Sequence, residues 1–138
     1  MTKIKRFGVS LEKELLDKFD RLISEKNYTN RSEALRDLIR QELVKREWRQ
    51  GKQIAGAITL IYDHHRSEIL NKVIDTQHDF QKLIISTQHV HLDHNNCLEI
   101  VALRGNPKEA QRLIDSLKAI KGVKHTTLSM SSTGKDFD

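Results

Sequence analysis

The chain has 138 residues, a single cysteine and a formal net charge of +5, with no apolar run long enough to span a membrane. One cysteine excludes an internal disulfide, and the lack of an apolar amino-terminal leader leads us to expect a reducing, cytoplasmic setting. The charge is uneven: residues 1–50 carry 13 basic and 9 acidic side chains, against 11 and 10 in residues 51–138, so the excess that could meet a polyanion sits at the amino end.

Residues Lys3 to Ser10 alternate, with Phe7 and Val9 facing one way and Arg6, Gly8 and Ser10 the other, which predicts a short strand with one apolar and one polar, basic side. Ser10 is expected to cap a helix whose apolar positions Leu15, Leu16, Phe19, Leu22 and Ile23 follow the 3.6-residue period and which ends near Lys26-Asn27-Tyr28. Asn30-Arg31-Ser32-Glu33 reads as a capping box opening a second helix, with Ala34, Leu35, Leu38, Ile39, Leu43 and Val44 on one stripe. One strand and two amphipathic helices leave an unpaired edge and two apolar stripes, so this segment should dimerise, its strands pairing into a ribbon. Such a ribbon fits the major groove of double-stranded DNA, with Arg6 and Ser10 as base readers and Gly8 permitting close approach.

This pattern resembles the ribbon-helix-helix DNA-binding domain, and Asn30-Arg31-Ser32-Glu33-Ala34 is a typical opening of that family's second helix. The resemblance implies that Asn30, Arg31 and Ser32 clamp a phosphate at the helix amino terminus. Gly8 stands where many members of that family carry a polar ribbon residue.

A polar stretch, Glu47 to Lys52, reads as a linker, dividing a domain of residues 1–50 from one of 51–138. Ile54 to Tyr62 is a near-continuous apolar run, expected to be a fully buried strand. A helix should follow from about Arg66, with Leu70, Val73, Ile74 and Gln77 on its inner stripe and His78 continuing that inward side. After a hairpin, Asn106 and Pro107 are the expected cap and first position of a further helix that buries Ala110, Leu113, Ile114, Leu117 and Ile120 and stops at Gly122. A strand from Val123 to Met130 completes the order β-α-β-β-α-β. The whole is expected to be an α+β chain, a ribbon-helix-helix unit followed by a ferredoxin-like domain whose second strand lies at an edge, and it resembles the ACT type. A second copy could cover the open sheet face, which would make the assembly a dimer of dimers.

The hairpin carries Thr87-Gln88-His89-Val90-His91-Leu92-Asp93-His94-Asn95-Asn96-Cys97-Leu98-Glu99. His89 and His91, two apart on a strand, share a face at a spacing of about 7 Å. A three-residue loop from Asp93 to Asn95, with Asn95 in the left-handed region, would pair Leu92 with Asn96 and His91 with Cys97; a two-residue turn would put Cys97 opposite Leu92, on the wrong face. Two imidazoles and a thiolate suit Ni(II), Cu(II) or Zn(II), and a fourth ligand must come from elsewhere.

With Thr76-Gln77-His78 before that hairpin and the ribbon-helix-helix pattern ahead of it, the chain resembles the NikR family of nickel-responsive transcriptional repressors over nearly its whole length. The resemblance implies one square-planar Ni(II) per subunit of a homotetramer, held by His89, His91 and Cys97 of one subunit and His78 of its neighbour. It implies a palindromic operator of nickel-uptake genes as target. Supporting contacts are expected from Glu99, placed diagonal to His89, and from Gln77 beside His78. Glu33 and Asp37, four apart on one helix face, would repel unless a cation or arginine lay near, and the family places a second, weaker cation site there, between the two domains.

Two other readings stand beside this one. A ribbon-helix-helix regulator could sense another metal, Cu, Co or Zn, or a small molecule such as an amino acid. A metal-dependent hydrolase is disfavoured, since four protein ligands leave no open coordination position and no placed general base is evident, so the chain is read as no enzyme.

Overall fold

The computed structural model describes residues 3–135 and 137, and its contacts divide the chain into two compact units, one ending at Leu43 and the other running from Val44 to Lys135. In the first unit, residues 3–12 form neither helix nor strand and are exposed, Phe7 by 73% and Val9 by 63%. The expected strand therefore does not form within one chain. A strand exists through hydrogen bonds to a neighbour, and the described residues of this unit supply no other strand.

Helix α1 (Lys13–Glu25) starts after Glu12, with no side-chain cap, so Ser10 lies too early to serve as one. Its carboxyl end is a Schellman turn: Asn27 takes φ 59°, its N–H reaches Ser24 O at 3.2 Å, and the Tyr28 N–H reaches Ile23 O at 3.0 Å. Of the apolar stripe only Ile23 is buried, while Leu15 and Leu22 face outward. Helix α2 (Arg31–Gln50) opens as expected, the Asn30 side chain accepting the Glu33 N–H at 3.0 Å. It then runs unbroken to Gln50, so most of the anticipated linker is helical, and the turn comes at Gly51, whose φ of 73° suits glycine.

The second unit begins with the last turns of α2 and continues as β1 (Ile54–Tyr62), α3 (Ser67–Asp79), β2 (Ile84–Asp93), β3 (Asn96–Gly105), α4 (Pro107–Lys118) and β4 (His125–Met130). The four strands form one antiparallel sheet in the order β2-β3-β1-β4, which leaves β2 at an edge. Strand β1 is not buried throughout. Ile54, Ile58, Leu60 and Tyr62 pack inward, while Ala55, Ala57, Thr59 and Ile61 are half-buried on the face away from the helices.

Both helices cover the first of these faces. The core joins Ile54, Ile58 and Leu60 of β1 and Val101 and Leu103 of β3 to Ile69 and Val73 of α3 and to Ala110, Leu113, Ile114 and Leu117 of α4. Helix α4 is capped by Asn106, which accepts the Lys108 N–H at 2.8 Å, with Pro107 at its first position. Helix α3 is rotated from the expected stripe: Ile69 is buried and Ile74 is exposed, because the helix meets α4 and β1 along the Ile69–Val73 line. His78, five residues beyond Val73, is consequently exposed and not inward-facing. The last strand begins at His125, two residues later than Val123. No helix among the described residues is long and apolar enough to cross a membrane.

Candidate metal centre

The β2–β3 hairpin turns at His94–Asn95, with Asp93 paired to Asn96. That is a two-residue turn, not the expected three-residue loop, and Asn95 does not take a positive φ. Asp93 shapes the turn instead: its carboxylate accepts the Asn95 N–H at 2.9 Å and the Asn96 side-chain amide at 2.9 and 3.0 Å. Those bonds hold the Asp93 carboxyl below its ordinary range. A bulge then restores the register. Leu92 has no partner on β3 and stands exposed, so His91 lies opposite Cys97 and His89 opposite Glu99. Glu99 is thus directly across from His89, not diagonal to it.

This register puts His89, His91, Cys97 and Glu99 on the helix-facing side of the sheet, at its edge. Cys97 and Glu99 are almost wholly buried, whereas both imidazoles are largely exposed. His89 Nδ1 lies 4.0 Å from Cys97 Sγ, and His89 Nε2 lies 2.8 Å from Glu99 Oε1. The other Glu99 oxygen accepts from the Gln77 side-chain amide, and the Tyr62 hydroxyl donates to Glu99 Oε1 at 3.4 Å. Tyr62 also pairs with Cys97 across β1 and β3. Sequence reasoning missed Tyr62, since only the long-range β1–β3 register brings it here.

Burial raises the Glu99 carboxyl above its ordinary value, with His89, Gln77 and Tyr62 each pulling it partly back. Burial also raises the Cys97 thiol, and the Glu99 charge adds to that. Tyr62 is pushed far up by its own burial and the same carboxylate. The arrangement fits a metal in its donor chemistry. An imidazole nitrogen faces a thiol while its other nitrogen is held by a buried carboxylate, the usual bracing of a metal-binding histidine. Among the described residues, no three His, Cys, Asp or Glu side chains already stand close enough to hold an ion, so closure requires the exposed rings to move.

His78 is not gathered with these residues. It lies at the end of α3, beside a cavity of about 530 Å³ that Gln53, Arg104, Asn106 and Glu109 also line. In the first unit, Arg6, Gly8, Ser10 and Ser32 are exposed. Asn30 is committed to its helix cap. Arg31 holds Asp20 through two 2.9 Å bonds, which lower the Asp20 carboxyl below its ordinary range. Asp37 accepts from the Tyr28 hydroxyl and, at 3.0 Å, from Gln41, while Glu33 is exposed one turn earlier.

Residues 55–131 match the family described as the NikR C-terminal nickel-binding domain, and residues 5–46 match the ribbon-helix-helix proteins of the CopG family. The chain is 62% identical over 135 residues to a protein of Syntrophus aciditrophicus that carries the name nickel-responsive regulator, covering 98% of each chain. It is 58% identical over 134 residues to one of the same name from Chlorobium limicola, covering 97% of this chain and 100% of the other. A third, from Thermococcus kodakarensis, is 50% identical over 136 residues, with 98% and 99% covered. An uncharacterised protein of Thermotoga maritima superposes with a TM-score of 0.53 over 57% of this chain and 98% of its own; at 16% identity this likeness is one of fold alone. A regulator, not an enzyme, is what these matches support. Matched through both of its units and over nearly its whole length, the chain belongs to the NikR family of nickel-responsive regulators.

Proposed function

We propose that the chain is a nickel-responsive repressor that binds double-stranded DNA, with residues 1–50 as the DNA-binding domain and residues 51–138 as the metal-binding and oligomerising domain. The observation that carries this reading is the pairing of His91 with Cys97, with His89 Nδ1 turned toward the same sulfur and braced from behind by Glu99. His89, His91 and Cys97 would hold one Ni(II) per subunit. The exposed His78 of a neighbouring subunit would complete a planar set of three nitrogens and one sulfur in a homotetramer. Four such donors favour Ni(II) over Zn(II) by geometry, whereas discrimination against Cu(II) leans on supply.

Cys97 would give up its proton to become a ligand, Glu99 and Gln77 hold the His89 ring in place, and His78 would tie one subunit to the next. With metal held there, His78 would join neighbouring subunits and so couple this site to operator affinity, a coupling that is reciprocal by thermodynamic necessity. The exposed Phe7 and Val9 support pairing of two copies of the amino-terminal segment into a ribbon. Arg6, Gly8 and Ser10 would then face the bases, and Asn30, Arg31 and Ser32 would lie toward the phosphates, Arg31 exchanging Asp20 for the backbone. Glu33 and Asp37 are proposed as a second, weaker cation site. The targets are palindromic operators of nickel-uptake genes, met in the cytoplasm.

Footprinting on such a palindrome at fixed salt, with and without Ni(II), tests the reading, with Cys97→Ala as control. Salt must be held constant because phosphate contacts make affinity depend steeply on it. Protection that appears only with Ni(II), and not in Cys97→Ala, supports the proposal. Equal protection in all lanes defeats it.

A further inference from the structure

In the first unit, the guanidinium at the head of α2 is already occupied. Arg31 donates from Nε and Nη2 to the two oxygens of Asp20, each bond 2.9 Å long, in the two-pronged geometry that arginine makes with carboxylates and phosphates alike. Asp20 lies on α1, and the connection that brings it here is tight: the Tyr28 N–H reaches back to Ile23 O at 3.0 Å, and Asn27 takes the left-handed turn between the helices. Neither Asp20 nor Arg31 has another side-chain hydrogen bond or ion pair among the described residues. Both stay open to water, with 60% of the Arg31 side chain and 43% of the Asp20 side chain exposed, so a ligand can reach the pair and part it.

Arg31 is also the first residue of a 20-residue helix, whose amino end carries partial positive charge and favours an anion. Asp20 therefore holds, with the same donors, the place a DNA phosphate would take. Its carboxyl, lowered by those bonds, is ionised at neutral pH. An arginine neutralised in this way has less charge to offer a phosphate, and charge dominates contacts with the DNA backbone.

We propose that Asp20 is a built-in rival of the DNA phosphate for Arg31, and that it sets the affinity of the amino-terminal unit for double-stranded DNA by holding back one cation per chain. The inference rests on the reading that Arg31 lies toward the phosphates. An ion pair this exposed is weak, so Asp20 restrains the contact without blocking it.

Operator binding by the full-length, nickel-saturated protein is the test, measured by gel shift at several fixed salt concentrations. Asp20→Asn keeps the shape and removes the charge. It should tighten binding about two- to fivefold for each DNA-bound chain, the range set by the strength of exposed ion pairs. It should also steepen the fall of log affinity with log salt by up to about 0.9 per DNA-bound chain. An unrelated duplex should gain by a similar factor, since a phosphate contact carries no sequence information. Arg31→Ala should weaken binding, and Asp20→Asn added to it should change nothing further. Each variant should keep the wild-type circular dichroism, since only exposed side chains are altered. Unchanged or weaker binding by Asp20→Asn would overturn the rivalry, the weaker case making Asp20 a brace for Arg31. An equal gain from Asp20→Asn with and without Arg31 would overturn it too, because the carboxylate would then act on the DNA directly. Arg31→Ala that binds like wild type would instead remove Arg31 from the interface and defeat the reading on which the inference rests.

Discussion

His89 and Glu99 face each other across β2 and β3, and the 2.8 Å contact between Nε2 and the carboxylate turns the ring so that Nδ1 points to the Cys97 sulfur. The carboxylate is nearly inaccessible and is further tied to Gln77 and Tyr62, so the ring is oriented by a rigid, buried partner.

Glu99→Gln keeps the shape and removes that charge. Nickel affinity should fall about 10- to 100-fold, as measured by competition with a chelator. The metal-free protein should respond differently. A carboxyl whose folded value is raised contributes stability that is full below its unfolded value and is lost as pH rises through the folded one. Thermal melts of the metal-free wild type should therefore decline as pH rises above the ordinary carboxylate range, and the Gln variant should decline less. Parallel melting profiles would show that Glu99 does not govern the trend.

Burial keeps the Cys97 thiol protonated past its ordinary value, so ligation has to displace that proton. Below the folded thiol value, nickel affinity should rise about tenfold per pH unit for the one proton released. Affinity measured at several pH values near neutrality checks this, and a flat profile would place the sulfur outside the site.

Leu92 is the extra residue of the bulge, and its deletion should leave Asp93 opposite Asn96 and His91 opposite Cys97 as a regular ladder. Nickel binding should then survive within about tenfold, since each ladder residue contributes only modestly. Loss of binding in a protein that still folds would mean the bulge aims the His91 side chain as well as setting the register.

Leu113 is fully buried between α4 and the sheet. Leu113→Ala should cost about 2–5 kcal/mol in urea unfolding, with the cavity adding to the lost transfer energy. A cost well under 1 kcal/mol, against that expectation, would mean the helix is not seated as described.

Asn30→Ala removes the side-chain acceptor for the Glu33 N–H and should cost about 1 kcal/mol of stability in the amino-terminal unit. Operator affinity should fall with it at constant nickel, read by gel shift at fixed salt. An unchanged gel shift would separate the cap from DNA binding.

Much of this protein is written in local pattern. The 3.6-residue and two-residue periods placed α4 and its cap at Asn106, the opening of α2 at Asn30 and the span of β1, because caps and amphipathic faces depend on neighbours a few positions away. The order β-α-β-β-α-β and the edge position of β2 followed from those elements. The pairing of His91 with Cys97 was also anticipated, but for the wrong reason: an odd-length loop was expected, and a two-residue turn with a bulge at Leu92 produces the same register.

What tertiary structure alone decided is where each element turns its faces. Helix α3 buries Ile69 and leaves Ile74 and His78 outside, because α4 and β1 set its rotation. The contacts of Glu99 with Tyr62 and Gln77 join residues 37 and 22 positions apart, which no local period can bring together. The strand expected at residues 3–10 needs a partner strand, and it finds none among the described residues. Sequence by itself determined the candidate donors and the scaffold, since these are properties of residue type and spacing. Packing decided which nitrogen faces the sulfur and how acidic its neighbours are, since orientation and burial arise only when distant segments meet.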